Sequence, residues 1–154
     1  MKQFSIVLGL VALAASGGAA LASGGLSCEA DDKNLTLSIE SGVTRGMGSP
    51  VFNFRAEAAL KLAKTPADMK TTAFEQANLT QYWLDGKDLR LVLYREREGD
   101  KPHGYVEITV LTKAKGEEDE GTYEGTYELT VFDGTGSGDP LMLDAKGKVN
   151  CFSE

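Results

Sequence analysis

Histidine is nearly missing from this chain: His103 stands alone, beside two cysteines and one tryptophan in 154 residues. A zinc centre built from His and Cys is therefore excluded by counting, and no spacing of acids replaces it. A Ser–His–acid triad would have to use His103. That residue lies in the turn-like Lys101-Pro102-His103-Gly104, and no Gly-x-Ser-x-Gly elbow occurs. Excess positive charge is lacking too, with 16 Lys and Arg against 23 Asp and Glu, a net charge of −7. Binding to nucleic acid relies on neutralising phosphates, so no such partner is expected, and an anionic lipid surface is disfavoured. With 42% apolar and 25% charged residues the chain is ordinary globular material, enough for one core. No motif implies a cofactor.

Only one long apolar run is present, Phe4 to Ala15, preceded by Lys2 and followed by Ser16-Gly17-Gly18. It is too short to span a bilayer, which takes about 20 apolar residues. Ala20-Leu21-Ala22 then supplies the small residues that signal peptidase requires. Residues 1–22 read as a secretory signal cut before Ser23, and residues 23–154 as a single domain. The expected location is periplasmic or secreted, with no transmembrane segment after cleavage.

Cys28 and Cys151 lie near the two ends of that domain. In an oxidising compartment an even pair so placed reads as one disulfide. Closing so long a loop removes about 5 kcal/mol of denatured-state entropy on the ideal-chain formula. Acylation of Cys28 is the rival, but Gly25-Leu26-Ser27 lacks the usual upstream Leu and would leave Cys151 unpaired.

Between the cysteines the chain alternates with period two, the signature of half-buried strands. Leu35, Leu37 and Ile39 alternate with polar residues. So do Leu89, Leu91 and Leu93, then Val106, Ile108 and Val110, then Leu141 through Cys151. Val51–Leu62 places Phe52, Phe54, Ala56 and Ala58 on one side, although Arg55–Lys64 also contains good helix formers. Thr72–Leu84 reads as one strand with mixed faces, joined by Asp85-Gly86-Lys87-Asp88 to the next. Residues 23–33 read as a polar lead-in. The expectation is an all-β antiparallel meander of about seven strands, closing as a small up-and-down barrel; a two-sheet sandwich is the alternative. Barrel closure makes the first and last strands neighbours, which brings the cysteines within reach.

Few segments promise chemistry. Arg95 and Arg97 continue the inward parity of Leu89–Leu93, placing two guanidinium groups at a barrel mouth, where they pair with acids or meet an anionic ligand. Trp83, Tyr123 and Tyr127 are candidates to line a pocket with them. The repeated Gly-Thr-Tyr-Glu at 121–128 sets both tyrosines on one face, with rings positioned to cover Gly125. Inward Phe52, Phe54 and Trp83 are expected to fill the space left by small residues. Glu117, Glu118, Asp119 and Glu120 form an acidic tip suited to a basic partner, or a solvated turn that resists edge pairing. Asp133–Asp139 superficially evokes a calcium loop but lacks its closing Glu. No metal site is assigned.

These features lead to a non-enzymatic exported barrel, monomeric, that binds another envelope or extracellular protein. The alternatives are a carrier of a small apolar or anionic ligand in its interior, and a hydrolase using carboxylates from separate strands. A packed interior favours surface binding, an open cavity the carrier, and a polar cleft the hydrolase.

Overall fold

The computed structural model describes residues 23–44, 51–116, 121–134 and 138–154; the leader 1–22 and the acidic tip 117–120 lie outside the described residues. The strands are β1 Ser23–Asp31, β2 Leu35–Thr44, β3 Val51–Leu60, β4 Thr71–Glu75, β5 Leu79–Asp85, β6 Asp88–Glu96, β7 Gly104–Ala114, β8 Gly121–Asp133 and β9 Leu141–Ser153. They form one sheet in the order β4-β3-β2-β1-β9-β8-β7-β6-β5, every neighbouring pair antiparallel. First and last strands are adjacent, so the sheet is a nearly closed barrel. Among the described residues no helix is long and apolar enough to cross a membrane.

The count is nine strands, not seven, for two reasons. Residues 23–31 are a full strand, not a lead-in: Leu26, Cys28 and Ala30 are buried and alternate with exposed Ser27 and Glu29. Thr72–Leu84 is broken in two by a 3-10 turn at Gln76–Asn78. The break resolves a parity problem. An antiparallel ring needs an even number of strands, since directions must alternate all the way round. The pairings make β4 and β5 run the same way. They are two halves of one path, the first pairing with β3 and the second with β6. Asn78 holds the turn: its Oδ1 accepts the Glu75 amide at 2.9 Å, and its Nδ2 donates to the Tyr94 carbonyl at 3.2 Å.

The inward parity is largely as the alternation predicts, with Leu35, Leu89, Leu91, Leu93, Ile108, Val110 and Val131 sealed from water. Val51–Leu60 is a strand, not a helix. Phe52, however, lies outside. Asn53 takes a positive φ of 53°, and the β2–β3 register slips between Glu40 and Gly42, a bulge that reverses the face of what precedes it. The Phe52 ring covers Gly42, where an added Cβ would lie 2.3 Å from it. Trp83 is also outside, on the parity opposite to Tyr82 and Leu84, and is 55% exposed.

One end of the barrel carries the start of β1, the end of β9, the 86–87 turn, and the points where β2 and β7 end and β3 and β8 begin. The opposite end carries the β1–β2, β3–β4, β6–β7 and β8–β9 connections. At that far end the β3–β4 connection folds inward, burying Thr65 and Met69. The amide of Thr65 bonds the Leu62 carbonyl and that of Met69 the Pro66 carbonyl, two successive turns.

Cys28 and Cys151 face each other across the β1–β9 ladder with Cα atoms 4.0 Å apart, joined over a sequence separation of 123. Both are buried. Because this bridge spans the joint that turns a sheet into a ring, replacing both cysteines by Ala is expected to cost about 2–5 kcal/mol. Chemical denaturation of the double variant measures it; an unmoved midpoint would show that the ladder closes the ring unaided.

Candidate functional site

The interior is occupied by its own side chains. Tyr123 and Tyr127 of β8 are fully shielded, packed with the leucines and valines of the neighbouring strands. Tyr127 lies against Gly147 of β9, where a Cβ would meet its ring at 2.5 Å and the Asp32 carboxylate at 2.0 Å. The ring expected over Gly125 therefore covers Gly147 instead, and Gly125 is fitted to the backbone of Leu111 and Thr112. The Tyr127 hydroxyl donates to both Asp32 oxygens at 2.9 and 2.8 Å, while Asp32 Oδ1 accepts the amides of Asn34 and Leu35 at 2.7 and 3.1 Å. Burial alone would raise the Asp32 pKa. The Asn34 amide, the Tyr127 hydroxyl and the Leu35 amide outweigh it and hold the carboxyl below its ordinary 3.8. Burial, reinforced by Asp32, pushes the Tyr127 hydroxyl up. Tyr82, half-buried nearer the terminal end, is pushed up to about 12 by burial and then by Tyr123.

Arg97 sits at the far end with its side chain 7% exposed and ties three connections together. Its Nη1 donates to Asp133 Oδ1 at 2.7 Å and to the Pro102 carbonyl at 3.0 Å. Its Nε lies 3.0 Å from Asp68 Oδ2 without hydrogen-bond alignment, and its Nη2 contacts the Met69 sulfur at 3.2 Å. Lys101 also reaches Asp68, at 2.9 Å. Arg95 bonds Glu98 at 2.8 Å and the Ala73 carbonyl across the gap between β4 and β6. Both arginines thus sit at the barrel mouth, paired with protein groups. A polar cleft of about 340 Å³ opens along this gap, with Asp68, Glu96 and Glu98 balanced by Arg95, Arg97 and Lys101. The hydrogen bond from Lys101, aided by the Arg97 charge and opposed by burial, keeps Asp68 ionised to lower pH than usual. A general acid needs the opposite shift.

The outer wall has two apolar areas. On β5–β7 the register sets Trp83, Arg90 and Leu111 in one row and Gln81, Val92 and Thr109 in the next. These residues line an open groove of about 570 Å³. Further along, Tyr94, Tyr105 and Phe132 form a cross-strand ladder with ring centroids 5.2 and 5.4 Å apart. His103 leans over it, 6.0 Å from Tyr105 and 5.6 Å from Phe132. The five candidate pocket residues therefore do not converge: Tyr123 and Tyr127 are core, Arg95 and Arg97 line the far mouth, and Trp83 is on the outside. Arg90 and Leu111 escaped the sequence reading, though Leu111 on the polar parity of its strand was a legible signal. Among the described residues no three His, Cys, Asp or Glu side chains gather as a metal set.

Two measurements probe these locks. Arg97→Met leaves Asp133 buried without its cation and is expected to cost about 3–5 kcal/mol, whereas Arg95→Met, nearer to solvent, costs less; equal melting temperatures would deny Arg97 its structural role. Asp32 and Asp68, with lowered folded pKa values, contribute stability above 3.8 that is lost as the pH falls through those values, because the unfolded chain binds more protons there. Melts between pH 5 and 2.5 should show a falling midpoint, shallower in Asp32→Asn; a flat profile contradicts this account.

Compared with protein-family models, curated proteins and solved structures, the chain matches none, so its function is read from its own residues.

Proposed function

We propose that this protein is an exported, non-enzymatic barrel that binds another protein through its outer wall, with Trp83, Arg90 and Leu111 as the central contacts. The observation that carries the reading is the contrast between a filled interior and an exposed tryptophan. Tyr123 and Tyr127 occupy the space a carried ligand would need, while Trp83 is 55% exposed beside a groove on the outside. Tryptophan and arginine are the residues most enriched at the energetic centres of protein interfaces. Val92 and Leu111 add apolar surface, and the Gln81 and Thr109 side chains offer polar groups at the groove.

The other two readings have less support. The carrier reading needs a cavity where the tyrosines lie. The hydrolase reading needs a carboxyl held protonated, but Asp68 in the polar cleft shifts the other way. Export is supported by the buried disulfide together with the leader-like residues 1–22.

Trp83 is the sole tryptophan, so its fluorescence reports on this surface directly. A photo-crosslinker placed at Gln81, beside Trp83 in the groove, should capture a partner from envelope extract that the same probe at Glu29 of β1, on the opposite side of the ring, does not. Binding of that partner should shift the Trp83 emission to the blue, and Trp83→Ala should weaken it by about 2 kcal/mol or more with the melting temperature unchanged. Identical capture from both positions would overturn the reading.

A further inference from the structure

Strand β9 is longer than the strand that closes on it. It extends from Leu141 to Ser153, but β1 pairs with it only from Glu29↔Asn150 to Leu26↔Ser153. The β1–β2 turn reaches a little further, where Asn34 Nδ2 donates to the Lys146 carbonyl at 3.5 Å. Beyond it, Leu141–Ala145 is paired with β8 alone among the described residues.

The direction of the free groups can be worked out. In an antiparallel ladder the narrow pairs are those not exchanging hydrogen bonds, and Cys28↔Cys151 is narrow, with Cα atoms 4.0 Å apart. Even-numbered residues of β9 therefore aim N–H and C=O toward β1, as the Lys146 carbonyl confirms. By the same alternation Met142 and Asp144 present two N–H and two C=O groups at the open edge. Met142 is 57% exposed, and Leu141, Leu143 and Ala145 are half-buried on the inward face. Pro140 bounds the segment at one end and the β1–β2 turn at the other.

We infer that this edge pairs with the same edge of a second copy of the chain, antiparallel about a two-fold axis through Leu143. Met142 then lies opposite Asp144 of the second copy, and Asp144 opposite its Met142. Four hydrogen bonds satisfy the N–H and C=O groups of Met142 and Asp144 at both edges. Leu143 meets Leu143, and Leu141 meets Ala145. Moving the register two residues one way sets Asp144 against Asp144, a like-charge pair; moving it two the other way sets Asp144 against Pro140, which has no N–H. The segment thus complements itself in one register, as a two-fold interface requires. So short an interface is weak. With a net charge of −7 on each chain, added salt strengthens it by screening, whereas a basic partner on this edge would be released by salt. The inference uses β9 and is independent of the Trp83 surface on β5–β7, and it replaces the expectation of a strict monomer.

Sedimentation of the purified protein with its disulfide intact, from about 10 µM to 1 mM and at low and high salt, tests this. The expected result is a monomer–dimer equilibrium that shifts at least several-fold toward dimer at high salt. Asp144→Pro removes an N–H aimed away from β8, so it should abolish the dimer while preserving the melting temperature. As a check on register, Leu143→Cys should form an intermolecular disulfide with itself and Leu141→Cys should not. A monomer at every concentration and salt, a dimer released by salt, or a dimer that survives Asp144→Pro would each overturn the inference.

Discussion

Closure of the sheet on itself is the constraint on which everything else in this molecule depends. The β1–β9 ladder that makes the ring is only four residue pairs long, and its centre is reinforced by the buried Cys28–Cys151 bridge. Without that joint, β1 and β9 would be sheet edges with their apolar faces open to water. With it, the ladders run unbroken from β4 round to β5; among the described residues main-chain pairing is missing where the split strand passes, β4 having no ladder to β6 and β5 none to β3, and along Leu141–Ala145 of β9. Closure also dictates parity, and the 3-10 turn at Gln76–Asn78 is how nine strands satisfy a rule that allows only an even circuit.

The charged groups that enter the interior, Asp32, Arg97 and Asp133, are matched there. Asp32 fastens the β1–β2 turn and at the same time receives the Tyr127 hydroxyl, so one carboxylate serves a turn and the core together. Arg97 performs the equivalent task for three other connections through Asp68, Asp133 and Pro102. Both arrangements lie at the end away from the termini. Isolated charges there would be costly, and their mutual pairing leaves little of their chemistry directed at a ligand.

Much of the architecture was legible because burial on one face leaves a period-two trace. Leu35–Ile39, Leu89–Leu93 and Val106–Val110 all occupy the faces their spacing implies, and the parity argument correctly carried Arg95 and Arg97 to a mouth. Strand β1 was obscured because Cys28 and Ala30 contribute little apolar character, and its role is fixed by a partner more than a hundred residues away. Phe52 was misplaced because a bulge depends on the φ of Asn53, which no pattern of hydrophobicity records. Trp83 was misplaced for a different reason: its parity was plain, but large aromatic residues were assumed to belong inside. The outer groove was harder to see, since it joins residues of three strands whose registers only the fold sets.

The interrupted strand has one more implication. A continuous cylinder fixes its own girth, because every strand is clasped on both sides and none can slip without breaking a row of bonds. Here the wall is unzipped where the split strand passes, β4 having no ladder to β6 and β5 none to β3, and on the first of these sides the flexible arm of Arg95, not main chain, bridges the gap. Breathing of the cylinder would be concentrated there, because parting the split strand from its missing neighbours breaks no row of main-chain bonds.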